Sequence, residues 1–120
     1  MGSIETNQNM RAPAKAVAAE LTRIIGAPLV AILGGAKSTR SVRRWITGEA
    51  NPQQIDRLRL VLVVAELLLA REEPDVVRAW FAGDNTDLGG KNPIMLLAES
   101  DSALTRKAVI AAAKNFISGS

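Results

Sequence analysis

The side chains here with the most chemistry to offer are cationic: Lys37, Arg40, Arg43 and Arg44, with Ser38, Thr39 and Ser41 among them, fall in a stretch that contains no acid. Guanidinium and ammonium groups at that density neutralise phosphates, and an arginine can also bond a guanine edge through two parallel N–H donors. Two other features invite chemistry but lack its requirements. Gly89-Gly90 has neither the lysine-serine or lysine-threonine ending nor the preceding strand of a phosphate loop, so it reads as a turn. Glu66 interrupts an apolar run with no second carboxylate beside it, and reads as an edge residue or as the partner of Arg23 or Arg78. The chain has no His and no Cys, which removes imidazole acid–base catalysis, thiol nucleophiles, disulfides and Cys/His metal sites. The expectation is a binding protein, not an enzyme.

The elements that must position the cations follow from periodicity. Val42, Trp45 and Ile46 form an apolar stripe three and four residues apart, Ser38 or Thr39 can cap the helix start, and Gly48 can end it in the left-handed conformation. Arg40, Ser41, Arg43 and Arg44 then lie on the opposite face. Trp45 shares the stripe of Val42 and reads as core; single-strand binding would want several exposed aromatics, and the chain has only two Trp and two Phe. Upstream, Val17, Leu21, Ile24 and Ile25 recur at helical spacing, predicting a helix over 14–25 that Gly26 ends. Pro28 opens a short helix, PLVAIL, stopped by Gly34 and Gly35, and the bend GGAKS is longer than a usual turn. A short helix, a glycine bend and a second helix that is apolar on one side and cationic on the other have the layout of a helix-turn-helix, whose second helix offers its polar face to the DNA major groove. A solvated cationic face is the plain alternative.

All of this must be built around residues 53–71, QQIDRLRLVLVVAELLLAR, a leucine-rich run too long for an ordinary strand of about 5–6 residues. A helix apolar on every side must be wrapped by its neighbours. It is too short and too interrupted to span a bilayer, which takes roughly 20 apolar residues. Beyond it, Pro74 starts a helix with Val76, Val77, Trp80 and Phe81. Those two aromatics are neighbours about 100° apart on a helix, so one of them is expected at a partner surface, a dimer seam or a pocket between helices. The segment DNTDLGGKN is a loop with Leu88 as its single anchor, Pro93 opens a short helix, and Asp101 or Ser102 caps a last one that contains Phe116. The fold class is all-α, with about six helices.

Charge divides the chain. Residues 1–60 carry nine Lys/Arg and four acids, and residues 61–120 carry six and eight, a split of +5 and −2 within the net +3. The N-terminal half is suited to a polyanion and the C-terminal half is not. The expected organisation is a flexible tail over 1–12, a helix-turn-helix-like region over 13–52, the central helix over 53–71 and a second helical region over 72–120. The opening MGS reads as vector-derived, Ser118–Ser120 as partly so, and the polar first nine residues lack the apolar stretch of an export signal, which points to the cytoplasm.

Two sets of residues carry a family resemblance. Val42, Trp45, Gly48 and Pro52 resemble the end of the recognition helix and the following turn of Xre-type DNA-binding domains. Trp80-Phe81, the spacer to Leu88-Gly89-Gly90, Pro93 before Leu96-Leu97 and the small-residue helix ending in Phe116 resemble the toxin-binding domain of the Xre/MbcA/ParS antitoxin family. The resemblance covers about residues 13–117. It implies an antitoxin of a type II toxin–antitoxin pair that binds and blocks a RES-domain-type toxin, which in this family consumes NAD, and that represses its own operon by binding double-stranded DNA. It also implies that no cofactor is needed, that the protein is a dimer or a larger assembly with its toxin, and that Lys114, Asn115, Phe116 and Ile117 reach toward the toxin's active-site entrance, with Trp80, Phe81 and Leu88 at the same surface. A stand-alone homodimeric DNA-binding regulator, and an interaction adaptor without DNA binding, are the alternatives.

Overall fold

The computed structural model describes residues 12–119, so of the expected N-terminal tail only Ala12 is included. Among the described residues there are seven α-helices and one 3-10 turn: α1 (Ala14–Ile25), α2 (Ala27–Gly34), α3 (Thr39–Thr47), α4 (Ile55–Leu69), α5 (Pro74–Ala82), the 3-10 turn (Thr86–Leu88), α6 (Pro93–Glu99) and α7 (Ala103–Gly119). The all-α class is as expected, with seven helices where about six were anticipated. None of them is long and apolar enough to cross a membrane.

The helix α4 is the hub. Leu58, Val61, Leu62, Val64, Ala65 and Leu68 are buried, and Leu60, Leu67 and Leu69 are partly covered, so the apolar run is wrapped on most of its circumference. The cover comes from α1, α2, α5 and α7. The helix starts at Ile55, two residues into the 53–71 run, because Gln54 takes the N-cap position after a short turn. Glu66 is half-buried on this helix, while Arg23, one of its two expected partners, pairs with Glu20 on its own helix. Arg78, the other, donates from Nη2 to the Ile24 carbonyl at the end of α1, 3.5 Å away.

The bend between α2 and α3 is shorter than the sequence suggested. Gly34 does not stop α2; it is the last residue of the helix, buried against Trp45, and only Gly35 leaves the helix with a left-handed φ of 84°. A methyl group on Gly34 would stand 2.5 Å from Trp45 Cζ3, so the glycine permits the close approach of α3. Four residues, 35–38, remain between the helices, matching the usual turn of about 3–4 residues.

A near-buried ion cluster ties the two halves together. Arg57 on α4 donates to the Leu33 carbonyl at 3.1 Å and from Nε to Asp101 Oδ2 at 3.1 Å, and Arg106 on α7 donates from Nη2 to the same carboxylate oxygen at 2.9 Å. The side chains of Arg57 and Asp101 are 11% and 13% exposed. Hydrogen bonds from Arg106, and then from Arg57, hold the Asp101 carboxyl below the ordinary aspartate range. Asp101 is thus committed to the cluster, and the cap of α7 falls to Ser102, whose Oγ accepts from the Thr105 N–H at 3.1 Å.

Candidate functional sites

The first candidate site is the cationic face of α3. Val42 and Trp45 are buried against α1 and α2, and this anchoring leaves Arg40, Arg43 and Arg44 exposed. Ser38, Thr39, Arg40 and Arg43 line a shallow depression at the start of the helix. Lys37 is exposed in the bend, Arg44 lies one turn beyond Arg40, and Ser41 is half-buried. Among the described residues no carboxylate forms an ion pair with Lys37, Arg40, Arg43 or Arg44. Glu49, the nearest acid in sequence, accepts from the Thr47 hydroxyl instead. Ser38 takes the N-cap position in extended conformation but its side chain makes no capping bond, contrary to expectation. The free N–H groups of that first turn and the positive end of the helix dipole therefore add to the cationic surface.

The second candidate site is formed by the end of α5, the 3-10 turn and α7. Trp80, Asp84, Asn85, Thr86, Asp87, Asn115 and Phe116 surround an open cavity of about 320 Å³, with Ala112 behind them. Asn85 Oδ1 accepts from the Asp87 N–H at 2.9 Å and starts the 3-10 turn, and an isolated bridge between Asn85 and Lys91 closes the loop. Gly89 and Gly90 have φ of 69° and 83°, so they make the turn that the sequence suggested. Asn115 Nδ2 reaches Asp87 Oδ2 at 3.3 Å across the cavity.

Of the places expected for one of the two aromatics, the structure gives Trp80 the pocket between helices. Trp80 and Phe81 are both buried, at 8% and 0% exposed, although neighbours on a helix diverge. The reason is that α5 is covered over a wide arc by α1, α4 and α6, while Phe116 of α7 lies over Trp80. Val76, on the remaining side of α5, takes the exposed position. Leu88 is also buried, fixing the loop to α7, so it supports the site from beneath. Of the four residues expected near the C-terminus, Asn115 and Phe116 line the cavity, Ile117 packs on the core, and Lys114 is exposed outside the lining. All four are helical, within α7. Asp84 and Asp87 were missed: they sit in a segment that reads as a polar spacer, and the signal was two acids in the loop after a Trp-Phe pair. Among the described residues no group of His, Cys, Asp or Glu could hold a metal ion.

Helices packed on one buried helix, with a cationic helix face in one half and an aromatic, acid-rimmed cavity in the other, define a small all-α protein with two chemically distinct surfaces. Over 82 residues the chain is 35% identical to the probable mycobacterial cidal antitoxin of Mycobacterium tuberculosis, an alignment covering 68% of each protein. The chain belongs to this MbcA-like antitoxin family. No protein-family model and no solved structure matches it.

Proposed function

We infer that this protein is the antitoxin of a toxin–antitoxin pair, that it binds and blocks a RES-domain-type toxin through its C-terminal half, and that it represses its own operon through α2 and α3. The observation that carries the antitoxin role is the relationship to the mycobacterial antitoxin. The DNA-binding role is supported by the unpaired cations of α3 and by the four-residue bend before it. Lys37 and the arginines neutralise phosphates and give an affinity that falls with salt, while Arg40 or Arg44 reads a guanine. The protein acts as a homodimer, since a twofold protein matches two half-sites about one helical turn of DNA apart. Toxin is held at the surface of Trp80, Asn115 and Phe116, and the end of α7 extends toward its active-site entrance.

Co-expression with the product of the adjacent gene tests this reading. A complex that survives affinity purification and sizing, together with loss of the partner's toxicity, is the expected result. A chain that purifies alone as a dimer, with toxicity unchanged, would make it a stand-alone regulator.

A further inference from the structure

Three of the chain's four aromatic rings gather at one place in the C-terminal half. Trp80 meets Phe81 edge to face with centroids 5.1 Å apart, and Phe116 lies over it at 6.5 Å. Asp84 and Asp87 stand exposed on the rim of the cavity beside these rings. Neither forms an ion pair among the described residues, and Asp87 has only the long bond from Asn115. Three other acids are paired, Glu20 with Arg23, Glu99 with Lys91 and Asp101 with two arginines, whereas Glu49, Asp56, Glu72, Glu73 and Asp75, like Asp84 and Asp87, form no ion pair among the described residues. Trp80, in the cavity wall, keeps its indole Nε1–H buried without an acceptor. Unpaired negative charge beside aromatic rings that line an open cavity fits a cationic side chain carried on a peptide.

We propose that this groove receives an arginine side chain of the bound toxin, an inference that rests on the toxin-binding reading above. The guanidinium plane stacks against the rings that line the groove, and its N–H groups donate to Asp84 and Asp87. Arginine is favoured over lysine because its planar fork meets carboxylates at two points and stacks on aromatic faces, whereas an ammonium is a more strongly hydrated point charge. An arginine clamped in this way fixes the toxin's orientation while α7 extends past it.

The test uses the full chain and three capped tripeptides, acetyl-glycyl-arginyl-glycinamide and its lysyl and glutaminyl counterparts. Binding is followed by NMR at the indole N–H of Trp80, with that of Trp45 as the internal control. A saturable shift at Trp80 is expected with the arginyl peptide, about threefold or more tighter than with the lysyl peptide. It should vanish in a D84N/D87N variant whose Trp45 signal is unmoved. No saturable shift, equal binding of all three peptides, or unchanged binding by the double variant would overturn the proposal. Because the probe is a peptide, the two readings fail separately: a flat titration beside a stable toxin complex removes the arginine and keeps the antitoxin. Peptide binding with no toxin retained removes the toxin as occupant.

Discussion

The two charged surfaces of this protein are supported by opposite means. On α3 the cations are spread along an exposed helix that is held by two buried side chains and whose N-cap serine makes no capping bond. At the C-terminal groove the 3-10 turn and α7 start on side-chain caps, Asn85 and Ser102, as the neighbouring α6 does on Asn92, while α5, with Glu73 at its N-cap, has none. A row of cations on a lightly anchored helix suits a partner with repeated negative charge, where affinity comes from many small contacts. A rigid concavity with aromatic walls suits one projecting protein side chain, where affinity is concentrated. Arg57, bonded to the Leu33 carbonyl on one side and Asp101 on the other, holds the two regions against the same central helix.

The largest effect should come from removing the anchor of the cationic helix. Trp45→Ala deletes a buried ring and should cost about 3–5 kcal/mol in a urea melt, with DNA binding lost as the helix detaches. Breaking the tie between the regions should cost less. Asp101→Asn leaves Arg57 and Arg106 without their shared charge, though Arg57 keeps the Leu33 carbonyl, and about 2 kcal/mol is expected. The same group sets a pH dependence. Its carboxyl titrates lower in the folded chain than in the unfolded one, so its contribution is fully present above the unfolded value of about 3.9 and is lost as pH falls through the lower folded value. Urea midpoints should therefore drop on acidification below pH of about 4 in the native chain, and this component of the drop should be missing in D101N. The smallest effect contrasts the two kinds of helix start. Asn92→Ala removes a 2.8 Å bond from the Met95 N–H and should cost about 1 kcal/mol. Ser38→Ala removes no such bond and should change stability by only about a few tenths of that.

Much of the fold was legible because it is written in periodic apolar positions. The stripe of Val42 and Trp45, the wrapped run from Leu58 to Leu68 and the spacing from Val17 to Ile25 all appear in the core at the expected helical positions. The cationic face could be read for the same reason, as whatever that stripe leaves outside. What could not be read depends on how helices meet. Gly34 looks like a helix stop in sequence, and only its contact with the Trp45 ring reveals it as a packing position. Trp80 and Phe81 diverge on an isolated helix, and both are buried because different helices cover different sides of α5. Asp101 looked like a cap and is an ion-pair hub, since Arg57 is 44 residues away in sequence. Asp84 and Asp87 gain significance only when Phe116 is brought over Trp80.

The central claim is that one small chain carries two separable surfaces, and a single variant tests it most directly. R40A/R43A/R44A should fold with stability within about 0.5 kcal/mol of the native chain, since these side chains are exposed and unpaired. Offered operon DNA across a salt series, it should lose the shift seen with the native chain; variants with one arginine removed should each lower the salt slope by about 0.9. The decisive reading is whether the triple variant, co-expressed with the adjacent gene product, still purifies with that toxin and suppresses its toxicity. Retention of the toxin with loss of DNA is the predicted result. Loss of both, from a chain that remains folded, would contradict the division of the molecule into a DNA surface on α3 and a toxin surface at Trp80 and α7.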